Sequence, residues 1–267
     1  MTEPDTDAVR LEREGGVARI VLTAPERRNA LSVDMARGIV DAVNAVEGSD
    51  ARVVVLEGEG PAFCAGGDVS MMVDRHEGDE PLADAVRHVA RDTGRAVRRV
   101  AECEFPTVAK VDGPAFGAGG NLAIACDIQL LSESASIGFG FRNVGLAVDS
   151  GTSYLLPRLV GDNVARELVF TGELVAGDRA LELGLANHVY ADEAFEEEAE
   201  SFIAGIAEGP SVALRTSKRL LRHGADGSLD AAIENEAAAQ AAVLDSEDHA
   251  EGVAAFTEGR EPEFEGR

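Results

Sequence analysis

"VDGPAFGAGGNLAIACD", residues 111–127, is the stretch on which the fold turns. It overlaps the end of "TVAKVDG", 107–113, whose apolar and β-branched residues read as a strand. It then passes through Gly117, Gly119 and Gly120 into an apolar segment with helical character. The same succession occurs once before. "RVVVLEG", 52–58, reads as a buried strand by its unbroken Val-Val-Val-Leu. "EGPAFCAGGDV", 59–69, follows it, and a short helix is predicted from Asp68. Each stretch places small residues where the chain turns from strand to helix, so that another backbone or a ligand can approach closely. The first N–H groups of a helix have no partner inside it. Two such ends facing each other would aim a pair of donors at one oxygen, an oxyanion hole. Tight helix–strand packing would use the same glycines. A nucleotide-phosphate loop would not, because neither stretch is G-x-G-x-x-G or ends in the lysine of G-x-x-x-x-G-K-[ST].

Working outward, residues 9–14 and 17–22 read as two strands joined by a Gly15-Gly16 hairpin turn. Residues 33–47 and 83–102 have helical spacing, "DRHEGDEP", 74–81, reads as a surface loop, and "IQLLS", 128–132, as a strand. This alternation predicts an α/β fold. From about residue 192 the strand pattern stops. Helices are expected at 192–208, 211–223, 228–244 and 246–258. The expected organisation is therefore a core over residues 1–195 and a C-terminal helical subdomain over 196–267, forming one functional unit.

Composition narrows the function. Of 267 residues 45 % are apolar and 4 % aromatic, with no Trp, so the core is built of Val, Leu, Ile and Ala. Stacking platforms for nucleic-acid bases are not available. A net charge of −25 repels a phosphate backbone, so nucleic acid is not an expected partner. Only Lys110 and Lys218 are lysines, and the acidity is spread along the chain. That suits either a cytoplasm of high salt, where screening relaxes self-repulsion, or simply an acidic protein. No run of 18 apolar residues predicts a membrane span, and the polar N-terminus lacks a signal-peptide pattern, so a cytoplasmic location is expected. Cys64, Cys103 and Cys126 lie far apart and read as small buried hydrophobes. The five histidines lack metal-ligand spacing, so no metal site is expected.

"VGLAVDSGTSYLLPRLVG", 144–161, carries one acidic residue, Asp149, among apolar and small neighbours. A buried carboxylate without a partner is costly. Asp149 is either a helix N-cap, since Ser150 and Gly151 open an apparent helix, or a base.

"APERRNAL" (24–31), "AFCAGGDV" (62–69), "VDGPAFGAGGNLAIACD" (111–127), "VGLAVDSGTSYLLPRLVG" (144–161) and "SEDHAEGVAAFTEGREPEFEG" (246–266) together resemble the successive signatures of the crotonase superfamily, the enoyl-CoA hydratase/isomerase family. They occur in the family's order over almost the whole chain. The resemblance implies a spiral of ββα turns and a C-terminal helical region that builds trimers or dimers of trimers. It also implies an acyl-CoA thioester substrate, with coenzyme A part of that substrate and no separate cofactor. It places the oxyanion hole at the N–H groups of Gly67 and Ala118. The alanine departs from the family's three-glycine run, but a backbone N–H does not require glycine. The CoA side of the site would involve Arg27, Arg28, Ala30, Ala65 and Lys218. Solvated surface charge is an equal reading for the arginines and for Lys218. Asp68 is expected to cap the following helix. Hydratases of the family use two glutamates; the matching positions here are Asn121 and Phe141. Neither can activate water well. Asn121 would either hydrogen-bond near the thioester or satisfy backbone groups at a helix end. "GLAVDSG" is similar to the turn on which isomerases of the superfamily carry their one carboxylate, and the combination of Asn121, Phe141 and Asp149 looks most like the phenylacetate-pathway isomerases. The implied reaction is an enoyl-CoA double-bond shift. The alternatives are fatty-acid β-oxidation hydration, a ring-epoxide or oxepin isomerisation of an aromatic acyl-CoA, and a non-catalytic CoA- or RNA-binding relative.

Overall fold

The computed structural model describes residues 4, 6–68, 73, 78, 81–225 and 227–267. Strands β1 (Val9–Glu14) and β2 (Val17–Leu22) pair antiparallel from Val9↔Leu22 to Glu14↔Val17. Gly15 and Gly16 both have positive φ, 57° and 81°, which a two-residue turn of matching twist requires. Helix α1 (Val33–Val46) is capped by the Ser32 hydroxyl, which accepts from the Met35 N–H. It buries an apolar stripe and returns the chain to β3 (Val53–Gly58), parallel to β2.

The segment after β3 lies partly outside the described residues, and with it the helix expected from Asp68 and most of the loop expected at 74–81. One continuous helical rod then follows. It comprises α2 (Leu82–His88), a wide π turn (Val89–Thr93) and α3 (Gly94–Ala101). Strand β4 (Thr107–Val111) adds parallel to β3. The expected strand over 107–113 therefore stops at Val111. The chain bends at Gly113 and begins a second sheet with β5 (Pro114–Phe116), which leads into α4 (Ala118–Ala125). Strands β6 (Ile128–Ser132) and β7 (Ser136–Gly138) extend the two sheets in turn. Next come a 3-10 turn (Phe141–Val144), α5 (Thr152–Val160) and α6 (Asp162–Thr171), then β8 (Leu174–Ala176), α7 (Gly177–Leu183) and β9 (His188–Tyr190). Among the described residues the larger sheet runs β1-β2-β3-β4-β6-β9 and the smaller β5-β7-β8.

The main core lies between the larger sheet and α1, α3 and α4, and includes Ile20, Leu56, Met35, Ile39, Val97 and Leu122. The opposite face is covered by α8 (Phe195–Ala207), whose Phe195, Ala199, Ile203 and Ala207 pack on Val53, Val55, Val108 and Leu130. Lys110 emerges from β4 under α8 and meets Glu196 at 2.8 Å and Glu200 at 2.7 Å. The core thus continues through Ala207, and a boundary at 195/196 falls at the start of the helix that closes the sheet. Helices α9 (Ser211–Gly224), α10 (Leu229–Leu244) and α11 (Glu247–Glu258) follow, within a residue or so of their expected limits. No helix among the described residues is long and apolar enough to cross a membrane. Cys64, Cys103 and Cys126 are buried and unbridged, as expected.

Candidate active site

The two glycine-rich turns are clamped together by their backbones. Cys64 donates to the Pro114 carbonyl at 3.2 Å, and Phe116 donates back to the Cys64 carbonyl at 2.9 Å. A Cβ on Gly119 would lie 2.0 Å from the Cys64 oxygen, and one on Gly66 would lie 2.6 Å from the Phe116 oxygen. Glycine at those two positions is therefore a condition of the contact, not a packing convenience. The hypothetical Gly66 Cβ would also sit 3.6 Å from the Ala118 nitrogen, which brings the Ala118 N–H alongside the first turn. Asn121 is the first residue of α4 to bond back, to the Gly117 carbonyl, so Ala118 stands among the helix's open donors.

A third piece holds the first turn in place. Leu31 donates to the Gly66 carbonyl at 2.7 Å, and Ala65 donates to the Arg28 carbonyl at 2.9 Å. Asn29 is fully buried; its amide donates to the carbonyls of Glu59 and Ala62, and its Oδ1 accepts from the Ala24 N–H. Sequence reasoning passed over Asn29 for the arginines before it. The signal was present: in "RRNAL" the asparagine can adopt the left-handed φ of 53° found here, and few other residues do so readily. Burial pushes the Cys64 thiol up to about 12, so this cysteine between the loops is no nucleophile.

Asp149 reaches the same place from the other side. It is not the cap of α5. That position is Gly151, with φ 94° and no side-chain cap bond. Ser150 also has positive φ, 46°, and the two residues swing the Asp149 side chain out of helical register. Instead its backbone carbonyl is used. The carbonyl accepts from the Thr152 N–H at 3.0 Å, the Thr152 hydroxyl at 2.9 Å and the Asn121 amide at 2.9 Å. Asn121 is fully buried, and its Oδ1 lies 2.7 Å from the same Thr152 hydroxyl, whose single proton is shared between the two oxygens. Of its two expected roles, Asn121 takes the one of satisfying a helix end, and it pins the Asp149 turn as it does so.

The Asp149 carboxylate is left over. Oδ1 is buried and has no hydrogen-bond partner among the described residues, and neither does the Ser150 hydroxyl. Burial raises the Asp149 pKa above its ordinary 3.8. The nearby Ser150 hydroxyl and His88 favour the charged form and pull the other way, although neither makes a well-formed hydrogen bond to Oδ1.

These parts share one cavity of about 740 Å³. Gly67, Ala118 and Asp149 all line it, as does Ala65. Its remaining wall is largely apolar, with Leu82, Val86 and Val89 from the helical rod and Phe141, Leu146 and Val148 from the segment before Asp149. Phe141 thus puts an aromatic ring in the wall, a side chain that can neither give nor take a proton.

The residues expected on the CoA side are dispersed. Arg27 Nη1 meets Asp68 Oδ2 at 3.1 Å at the cavity rim, so Asp68 is engaged by this arginine. Arg28 is exposed and Ala30 donates to the Arg27 carbonyl; neither lines the cavity. Lys218 is placed elsewhere. Its ammonium sits 2.6 Å from Asp127 and donates to the Phe105 carbonyl at 2.8 Å and towards Thr107 at 3.4 Å. Its three donors are thus occupied in tying α9 to β4, and a CoA phosphate would have to displace them.

The enoyl-CoA hydratase/isomerase family model matches residues 12–267. The chain belongs to this family. Its α/β spiral is the crotonase fold: an enoyl-CoA hydratase of Mycobacterium smegmatis superposes with a TM-score of 0.89 at 30 % identity, covering 97 % of this chain and 99 % of that one. A Rhodobacter capsulatus protein named "Probable enoyl-CoA hydratase" is 34 % identical over 97 % of this chain and 98 % of its own. The 1,2-epoxyphenylacetyl-CoA isomerase of Escherichia coli is 32 % identical over 95 % of this chain and 97 % of its own. Family members at nearly equal identity thus carry hydratase and isomerase names, and the reaction must be argued from the site.

Proposed function

We propose that this enoyl-CoA hydratase/isomerase family member is an isomerase that shifts the double bond of a 3-enoyl-CoA to the 2-position, with Asp149 as its one acid/base. The observation that carries this reading is the Asp149 carboxylate: a buried oxygen without a partner, in the same cavity as Gly67 and Ala118. Buried polar atoms are almost always bonded, and a carboxylate oxygen the protein leaves unbonded in a cavity fits a catalytic role.

Asp149 removes a proton from the α-carbon of the thioester. The N–H groups of Gly67 and Ala118 hold the thioester oxygen as it gains enolate charge. The dienolate then takes the proton back from Asp149 at the γ-carbon, which leaves the double bond between the α- and β-carbons. The proton count balances on one carboxylate, first base and then acid. Hydration needs a second group to activate or deliver water, and Phe141 and the neutral amide of Asn121, bonded to the Asp149 carbonyl and the Thr152 hydroxyl, do not supply one. The acyl part lies along the apolar wall. The CoA part leaves past Ala65 and Arg27.

The reading also includes association of several copies through the C-terminal helices. Leu229, Ile233, Leu244, Val253 and Phe256 stand more than half exposed on α10 and α11. Purified protein offered 3-enoyl-CoA and 2-enoyl-CoA side by side tests the reaction. Conversion of the first to the conjugated thioester, at least about tenfold faster than hydration of the second, is expected. Faster hydration would refute it.

A further inference from the structure

The cavity contains a second polar element opposite the oxyanion loops. His88 ends α2 and lines the cavity among Leu82, Ala85, Val86 and Val89. Its Nδ1 lies 3.1 Å from Asp92 Oδ2, four residues on, so the ring is held and Nε2 is the nitrogen left free. Asp92 is itself approached by Arg37 of α1, at 3.7 Å. The chain between His88 and α3 takes a π turn, a widening of the helix that often accompanies a functional position. The same rod abuts the turn that carries Asp149: a methyl on Gly151 would touch Val97 of α3 at 3.7 Å.

Resting on the isomerase reading, we propose that His88, oriented by Asp92, is a positioning residue that holds Asp149 in the charge state catalysis needs. Burial of Asp149 in an apolar cavity favours the protonated acid, which cannot act as a base. A positive charge in the same cavity favours the carboxylate, and the effect of His88 on Asp149 has that sign. The other charged groups around the pair among the described residues are already engaged. Asp68, on the first loop, is paired with Arg27, and Asp84 with Arg87 on the outer side of α2. Asp92 is shared between His88 and Arg37. Ser150 offers only a hydroxyl. Among the described residues that line the cavity, His88 is the one basic side chain.

The test is the pH profile of kcat and kcat/KM for the full-length protein and three variants. In the wild type, activity rises with pH as Asp149 ionises. In His88→Gln the acid limb moves to higher pH by roughly half a unit to one unit, so that activity on the limb falls by roughly three- to tenfold. In His88→Lys, a cation of similar reach, the limb stays at or below its wild-type position. Asp92→Asn shows a smaller upward shift, because the ring is no longer held. A purely structural loss would lower the plateau and leave the limb in place. A His88→Gln limb superimposed on the wild type, or a His88→Lys limb displaced as far as that of His88→Gln, would overturn the proposal. Asp149→Asn separates the two layers: if it keeps full activity, the base reading itself is wrong and the role of His88 falls with it.

Discussion

Asp149 and Asp248 are both aspartates drawn out of water, and they are treated in opposite ways. Asp248, in the first turn of α11, is 3 % exposed. Its Oδ1 accepts from the N–H groups of Glu265 and Gly266, and its Oδ2 also accepts from Gly266, at 2.8 to 3.1 Å. Its own N–H donates to the Arg267 carbonyl. Every contact ties the C-terminal tail onto the helix. Asp149 is less buried, yet the structure bonds its carbonyl three times and leaves a carboxylate oxygen bare. The polypeptide thus solvates a structural carboxylate with its own backbone and fixes the proposed base through its backbone carbonyl, leaving Oδ1 unbonded. Burial alone does not separate the two; the accounting of hydrogen bonds does.

The comparison breaks most readily by amide substitution. Asp149→Asn should keep the fold and lower isomerisation by ~10²–10⁴-fold, the contribution of a positioned acid/base. Asp248→Asn should leave turnover per folded molecule unchanged within about threefold, since it is independent of the site. Steady-state assays on matched folded protein check both, and the reverse ranking would sink the distinction. Next in size is Ala118→Pro. Proline is accepted at the first position of a helix, so α4 is expected to survive while one donor disappears. Circular dichroism should be unchanged and kcat should fall by ~10²–10³-fold. An undiminished kcat would remove Ala118 from the oxyanion hole.

Smaller effects sharpen the contrast through stability. Asp248→Asn should cost about 1–3 kcal/mol in denaturant unfolding, because an amide N–H₂ is set against backbone donors. Asp149→Asn should have the opposite sign. The folded-state pKa of Asp149 is raised above 3.8, so the folded chain binds that proton more tightly than the unfolded one. Stability contributed by this group is present below pH 3.8 and is lost as pH rises through the raised value. At pH 7 the asparagine variant should be as stable as the wild type or better by roughly half a kcal/mol, water screening keeping the figure small. The gain should vanish in acid.

Much of this was legible in the sequence because it rests on local physics. Gly15-Gly16 between two alternating runs fixed the hairpin, and Val53 to Leu56 declared a strand buried on both faces. The strand–glycine–helix turns announced open N–H groups. What escaped needed the third dimension. Strands β5, β7, β8 and β9 are three residues each, too short for alternation to show, and exist because neighbours pair with them. Asp149 before Ser150 and Gly151 reads as a cap until the backbone's positive φ values turn it outward. Lys218 reads as a surface cation until Asp127 and the Phe105 carbonyl are brought beneath it. His88 was passed over with the other histidines for want of metal spacing. The i, i+4 pairing in "HVARD" was its only local sign, and a π turn breaks the 3.6-residue period on which helix reading depends.

The most direct measurement follows one hydrogen. A 3-enoyl-CoA carrying deuterium at both α-positions, converted in ordinary water in a single turnover, reports who returns the proton. If Asp149 is the sole acid/base in an apolar cavity, the deuterium it removes from the α-carbon should reappear at the γ-carbon in most product molecules, as read by mass spectrometry and NMR. Product with only solvent hydrogen at the γ-carbon, formed at full wild-type rate, would show that a second group or water delivers the proton. That result would contradict isomerisation by one carboxylate.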